Sequence, residues 1–288
     1  MPAGQPFTTL CRSLTRSVSS GRADLHVHTT CSDGSYTPRQ VVDLTRRSGL
    51  AAVAITDHDT LEGIAEAAAN ASSVEVIPGV EISSEFHGRE VHLLGYFINR
   101  SDADLGEALA RLREARKARF RTMVERLRHM NVPIKEEQVA GLPDSTALGR
   151  RHLAELIVAA RRARTIGEAF GRFLHDRSSV VVRKTLLDVA DAIALVRGAG
   201  GVASWAHPSY DCNVDTLKEL RDHGLAAIEV AYPGSDRRKT LALRSLAIDL
   251  GLAVTAGSDC HGPGGLKRSL GSSTISKEEL ETLRRRAG

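Results

Sequence analysis

Much that would narrow the function of this 288-residue chain is missing from it. No run of eighteen apolar residues occurs, which excludes a membrane-spanning helix. The four cysteines, Cys11, Cys31, Cys212 and Cys260, follow no C-x-x-C spacing. That argues against a disulfide framework and for reduced thiols in a cytoplasmic protein. No Gly-x-Gly-x-x-Gly follows the first apolar run, so the usual dinucleotide signature is absent. A G-x-S-x-G elbow and a Cys/His nucleophile pair are absent too. The first 23 residues hold no acid, three arginines and many Ser and Thr, but no apolar core of a secretory signal. Residues 1–22 are expected to be a disordered leader.

What is present is ordinary in bulk: 42% hydrophobic and 26% charged residues, as in a soluble globular protein. The net charge of +4 hides an asymmetry, because residues 101–177 carry sixteen Lys or Arg against eleven Asp or Glu. Basic surface therefore concentrates in the middle of the chain.

Short, β-branched apolar runs recur as "ADLHVHT", "AAVAITDHD", "VEVIPGVEIS", "REVHLLGYF", "GGVASWAHP", "LAAIEVAY" and "LAVTAGSDCHG". Most have the length and bounding residues of buried strands in a parallel sheet. Helical patterns separate several of them. In "TPRQVVDLTRRSGL", Thr37 suits the N-cap, Pro38 the first helical position and Gly49 the stop. Alternation over seven strand candidates predicts an α/β fold, a closed or nearly closed barrel, with an open doubly wound sheet as the alternative. Residues 101–177 contain helical patterns only, and are expected to form a helical insertion capping a barrel built from residues 23–100 and 178–288.

Polar residues fall at the ends of those strands: His26 and His28, then Asp33; His58 within "TDHD"; Glu81; His92; His207; Asp259 and His261. In a barrel of parallel strands such ends converge on one rim. His26 and His28 share a strand face, as do Asp259 and His261, because side chains alternate with period two. Each residue alone has a plainer explanation. His92 and His207 could be structural, Asp33-Gly34 a turn, and Asp59 the cap of a helix starting near Leu61. Together, six histidines and three carboxylates buried without a cation would meet a prohibitive desolvation and repulsion cost. The set predicts a metal centre. Imidazole with carboxylate suits zinc, iron or manganese, and nine ligands imply two or three divalent ions. Cys31 and Cys260 flank the ligands, and are expected to be small buried residues.

At these residues the sequence resembles the PHP (polymerase and histidinol phosphatase) family, through "DLHVHTTCSDGS", "ITDHDTLEG", "PGVEIS", "VHLLGY", "WAHP" and "GSDCHG". The resemblance implies a distorted seven-stranded (β/α) barrel with a metal cluster at the strand C-terminal ends. It implies one metal on His26, His28, Glu81 and Asp259, a second on Glu81, His92 and His207, and a third on Asp33, His58 and His261. The branch most similar has a helical insertion and includes nucleotide 3′,5′-bisphosphate phosphatases and a 5′-to-3′ exoribonuclease. "GRRHLAELIV" resembles that branch's G-R-P-H segment, with Arg151 in place of the proline. Ser235 stands where a histidine is common, and "DRSSVVVRK" lacks the usual prolines.

The expected activity is hydrolysis of a phosphoester by metal-activated hydroxide, without a protein nucleophile. The substrates implied are nucleotide 3′,5′-bisphosphates, releasing the 3′-phosphate, or the 5′ ends of short RNA. A phosphomonoesterase of small metabolites (histidinol phosphate or a sugar phosphate) and a non-catalytic metal-binding module are the alternatives. Arg150, His152 and Arg119 are the candidate substrate contacts. The run Arg116, Lys117, Arg119 and Arg121 otherwise looks like a solvated helix face. Residues 111–128 hold eight basic side chains against two acids, enough to attract RNA, but Phe120 is their one aromatic, so no base-stacking platform is evident. No obligatory protein partner is expected.

Overall fold

The computed structural model describes residues 21–143, 146–208, 212–263 and 268–288, so the expected leader, apart from Gly21 and Arg22, lies outside the described residues. The first strand, β1 (Ala23–Val27), is buried along its length. Helix α1 (Pro38–Arg47) follows, and its start is locally dictated. Thr37 Oγ1 accepts from Gln40 N, the Gln40 side chain accepts from Thr37 N, and Pro38 opens the helix. Gly49, at φ 70°, turns the chain out of it. Strand β2 (Ala52–Ile55), helix α2 (Glu62–Ala69) and strand β3 (Glu75–Phe86) come next, with β1, β2 and the start of β3 paired in parallel.

At the end of β3 the chain departs from a parallel barrel. His87 (φ 51°) and Gly88 (φ 74°) form a two-residue hairpin turn, and β4 (Arg89–Tyr96) runs back antiparallel along β3. Tyr96 therefore emerges at the opposite end of the sheet. Five helical pieces fill the next stretch: α3 (Ala103–His129), α4 (Glu136–Ala140), α5 (Arg150–Ala159), α6 (Ile166–Ala169) and a π-helical turn, Phe170–Leu174. Among the described residues from 97 to 186 there is no strand. A two-residue strand, β5 (Leu187–Asp188), touches β3, and then alternation resumes. It runs through α7 (Val189–Gly198), β6 (Val202–Trp205), α8 (Val214–Asp222), β7 (Ala227–Ala231), α9 (Arg237–Asp249), β8 (Ala253–Ala256) and α10 (Lys277–Arg284).

The seven longer strands lie in the order β1-β2-β3-β4-β6-β7-β8, with β4 antiparallel to both neighbours and every other pairing among them parallel. His28 N donates to Cys260 O at 3.0 Å just beyond β8, which nearly closes the sheet into the expected barrel. The register of β1 against β2 slips between Asp24 and Val27, so that Leu25 and His26 together oppose Ala54. Such a bulge re-aims side chains, and this one carries the first histidine. Ala23, Ala52, Ala54, Ala227 and Ala253 cluster with Leu25, Ile77, Leu94 and Tyr96, small residues that let the strands close tightly. Leu105, Leu109 and Leu112 of α3 join Val189, Ile193 and Val196 of α7 against the sheet. Further along α3, Phe120, Met123, Val124 and Leu127 belong to a separate core with Leu153, Ile157 and Leu174. No described helix is long and apolar enough to cross a membrane.

Candidate metal centre

All nine side chains singled out from the sequence converge at one end of the barrel. Their potential ligand atoms form four overlapping groups, with members within 4.8 Å of one another: His28, Asp33, His58 and His261; His26, His28 and Asp259; His26, Glu81 and His207; His58, Glu81 and His92. Parallel strands deliver most of them at their C-terminal ends. His92 arrives differently, because β4 is antiparallel: it faces Ser83 across the hairpin, in the first half of its strand.

Glu81, 1% exposed, is the hub. Its Oε1 lies 2.7 Å from His92 Nδ1 and 3.0 Å from His207 Nε2. Its Oε2 lies 2.9 Å from His58 Nδ1, 3.2 Å from His28 Nε2 and 3.5 Å from His26 Nε2. Asp259 Oδ1 faces His28 Nε2 at 3.3 Å and His26 Nε2 at 3.7 Å, while its Oδ2 accepts from Arg268 Nη1 at 2.6 Å. Asp33 Oδ1 lies 3.2 Å from His261 Nε2.

The chemistry of this donor set fits divalent cations. Five buried atoms on these residues, His26 Nε2, His28 Nε2, Asp33 Oδ1, His58 Nδ1 and Glu81 Oε2, have no hydrogen-bond partner. Buried polar atoms are rarely left so, and here Glu81 Oε2 faces the three imidazole nitrogens, while Asp33 Oδ1 faces the other nitrogen of His58 at 3.9 Å and His261 Nε2. Their proton affinities carry the same message. Burial would lower His28, but Asp259 and then Glu81 override it and push it up to about 10. His92 is likewise raised, against burial, to about 9 by Glu81 and Glu90. Burial prevails at His58, which falls to about 4 despite Glu81 and Asp33. Glu81 and Asp33 are held well below the usual carboxylate range, against burial, by the surrounding imidazoles. A site that clings to protons in this way is built for positive charge.

Further residues hold the ligands in place, and most of these the sequence did not mark. Glu229, fully buried on β7, accepts from His26 Nδ1 at 3.0 Å and from His207 N at 2.6 Å. Its trace in the sequence is a lone acid inside the apolar run "AAIEVAY". Asp57 accepts from Thr29 N, Thr29 Oγ1 and Ser32 Oγ at 2.5–2.7 Å, and Ser32 Oγ stands 3.4 Å from His28 Nδ1. Asp24 accepts from Ser258 N and Gly271 N, bracing the loop that bears Asp259 and His261. Glu90 meets His92 Nε2 at 2.9 Å and is itself paired with Lys184. Such outer carboxylates fix imidazole tautomers. Of the seven described non-glycine residues with positive φ, three (Asp59, His207 and Asp259) are at this centre. Gly257 has no alternative, since a Cβ there would lie 2.1 Å from that of His26.

Two expectations are corrected. Asp59 does not cap α2; it accepts from Ser83 N at 2.8 Å and from Arg116 Nε at 2.6 Å. Arg116 is not on a solvated helix face: it is 9% exposed and also donates to Ser83 Oγ at 2.8 Å. Arg119 too is 9% exposed, its Nε donating to Val182 O. Arg150 donates to Leu174 O and Asp176, and His152 Nδ1 accepts from Gly149 N at the start of α5. The cavity beside Asp33 and His261 is lined by Arg151, Phe170, Gly262, Pro263 and Arg268. Ser235 closes a local turn with the Tyr232 backbone.

Comparison with known proteins agrees with this geometry. The family model for the PHP domain matches residues 24–173. The chain is 34% identical over 249 residues to the 5′-3′ exoribonuclease Rnm of Salmonella typhimurium, covering 83% of this chain and 85% of that one. It is 31% identical over 264 residues to the 3′,5′-nucleoside bisphosphate phosphatase of Chromobacterium violaceum, covering 86% and 90%. A solved structure from Bifidobacterium adolescentis, assigned as a metal-dependent phosphoesterase, superposes with a TM-score of 0.86 at 31% identity, covering 92% of this chain and 96% of that one. Sequence motifs, barrel and converging histidines thus lead to one conclusion: the chain belongs to the PHP family.

Proposed function

We propose that this protein is a metal-dependent phosphoesterase that removes the 3′-phosphate from nucleoside 3′,5′-bisphosphates and acts on the 5′ ends of short RNA. One observation carries the proposal: five orphaned, buried ligand atoms within one cluster of nine converging side chains, in a chain similar to enzymes named for those substrates. His26, His28, Glu81 and Asp259 would hold one ion, Glu81, His92 and His207 a second, and Asp33, His58 and His261 a third. The grouping of His28 with Asp33, His58 and His261 supports a shared position between the first and third. Manganese, iron or zinc suits imidazole with carboxylate, in two or three positions. Bound there, such ions supply Lewis acidity, acidifying water and neutralising phosphate oxygens.

The chain's own residues do the rest. Glu81 spans the ligand groups and keeps them at fixed separation. Glu229 holds His26 with its Nδ1 proton outward, which leaves Nε2 as the free donor atom. The cysteines beside the centre do not compete as nucleophiles, because burial and then Asp57 push the Cys31 thiol up to about 11, and burial raises Cys260. Residues 101–177 act as a cap, their own core standing over the rim and Arg116 reaching down from it. The described cysteines are unpaired, in keeping with a cytoplasmic enzyme.

The test is phosphate release from adenosine 3′,5′-bisphosphate by manganese-reconstituted protein, beside Asp259→Ala. Turnover abolished by the substitution supports the function, and 5′-phosphorylated RNA oligonucleotides follow. Absence of turnover from protein shown to be metal-loaded would sink it, and release from histidinol phosphate would identify the metabolite phosphatase instead.

A further inference from the structure

We infer that Glu90 and Lys184 act as a positioning pair for His92: Glu90 fixes which imidazole nitrogen faces the metal centre, and Lys184 fixes Glu90. The inference rests on the metal-binding reading given above and deepens it, by naming what sets the one ligand that arrives on an antiparallel strand.

His92 needs such a device more than the histidines of β1 do. His26 and His28 are fully buried there, with Glu229 on the first and Ser32 near the second. His92 lies close to the hairpin turn, with a side chain 17% exposed. An imidazole has two distinct nitrogens, and the partner of one decides which is offered to an ion. His92 Nδ1 lies 2.7 Å from Glu81 Oε1, the hub of the centre, and its Nε2 lies 2.9 Å from Glu90 Oε1. A carboxylate at Nε2 keeps the proton on that nitrogen and leaves Nδ1 as the donor atom.

The hairpin alone does not hold Glu90 in place. Glu90 stands directly opposite Glu85 in the register of β3 with β4, and like charges so placed repel. Two consecutive basic residues answer them. Arg183 Nη2 lies 3.3 Å from Glu85 Oε2, and Lys184 Nζ donates to Glu90 Oε1, the same oxygen that His92 meets. Their settings differ, since the Arg183 side chain is 82% exposed and that of Lys184 only 20%. The segment that brings them, residues 179–188, is clamped on both sides. Val180 is buried in the core of the upper helices, and Arg119 Nε donates to Val182 O at 2.7 Å. Arg126 Nη1 donates to Ser179 O at 2.9 Å, and Leu187 and Asp188 pair with Ser84 and Glu85 of β3. A fixed backbone thus delivers Lys184 to Glu90. Both residues act through His92, as positioning residues and not as catalytic ones.

The experiment titrates zinc into chelator-stripped, full-length protein against a chromogenic chelator. Wild type is compared with Glu90→Gln, Lys184→Met, Lys184→Arg and Arg183→Met. Glu90→Gln should weaken one bound ion by about 10- to 100-fold and spare the others. Lys184→Met should weaken the same ion by about two- to fivefold, the worth of a partly exposed ion pair, and Lys184→Arg should restore most of it. Arg183→Met removes an equal charge from the same segment and should change nothing. In the double variant Glu90→Gln, Lys184→Met the effect of the lysine should vanish, because it acts through Glu90. Equal zinc affinity in wild type and Glu90→Gln overturns the inference, and so do equal losses in Lys184→Met and Arg183→Met. Long-range proton–nitrogen correlation NMR of the zinc-loaded protein reads the tautomer directly. His92 should carry its proton on Nε2, and a proton on Nδ1 contradicts the assignment. None of these readouts needs turnover, so protein that binds zinc but releases no phosphate refutes the proposed activity and still decides this inference. Wild type that takes up no zinc refutes the metal centre, and the inference falls with it.

Discussion

Replacing Arg116 by methionine should be among the most damaging changes outside the metal ligands. The guanidinium is the one cation bonded to Asp59 among the described residues, at 2.6 Å, and Asp59 is fully buried. Removing it while keeping the carboxylate leaves an uncompensated buried charge, a loss of about 3–5 kcal/mol by comparison with broken buried pairs. Against a native stability of roughly 5–15 kcal/mol, that is a large share. The Asp59→Asn, Arg116→Met double variant should recover much of it, with a coupling energy of about 2 kcal/mol or more. Urea denaturation of the metal-loaded proteins measures both. Asp59 is held below its ordinary 3.8 in the fold, against burial, chiefly by Arg116. A depressed carboxylate stabilises the native state above its unfolded pKa, and that contribution is lost as pH falls through the folded value. The gap between wild type and Arg116→Met should therefore be full at neutral pH and shrink below about pH 4. A single variant within about 0.5 kcal/mol of wild type, or strict additivity in the double variant, would refute this account of how α3 is joined to the rim.

Glu229→Gln should weaken metal binding by about 10- to 100-fold with little change in fold, since the amide keeps the shape but not the charge that steadies His26; competition with a chromogenic chelator reads this, and unchanged affinity would dismiss Glu229 as an orienting group. Metal loading at pH 7.5 should expel about three protons, because His26, raised well above its ordinary value against burial by Glu229 and Glu81, and His28 and His92, raised to about 10 and about 9, are protonated in the metal-free protein. Calorimetry in buffers of different ionisation enthalpy counts them, and a count of zero contradicts the ligand assignment. The sign extends to stability: histidines raised by the fold stabilise the metal-free protein fully below about pH 6.5, and lose that contribution as pH rises toward their folded values. Metal-free protein should thus melt progressively lower from pH 7 to 9.5, and metal-loaded protein should not.

The strands and the nine converging residues were legible because both rest on short-range signals. Apolar runs of strand length mark a barrel wall, and polar residues at their ends point to a rim. Strand direction carries no such signal, since period two reads the same both ways, and "FHGRE" did not by itself announce the reversal that brings His92 to the centre. The partners of long side chains were equally hidden. Arg116 and Arg150 lie in the same basic, helical stretch, yet one is buried on Asp59 and the other pairs with Asp176. What separates them is which face of a helix meets the barrel, a tertiary fact. Glu229 escaped because one acid in an apolar strand resembles an edge or barrel-end residue until its histidine is seen.

The reversal of β4 also governs the mechanics of the molecule. Because Tyr96 leaves the sheet at the end remote from the histidines, α3 has to run along the barrel wall before Arg116 can reach Asp59. It does so as one uninterrupted helix of 27 residues, a rod of about 40 Å. Its lower half is bolted to the sheet through Leu105, Leu109 and Leu112, and its upper half is the spine of the other helices. Arg116 sits at the fulcrum between them. Any rocking of the upper helices has to bend this rod or strip Arg116 from Asp59, and Asp59 adjoins His58 on the backbone. The upper helices and the ligand cluster are therefore mechanically joined through one helix and one buried ion pair.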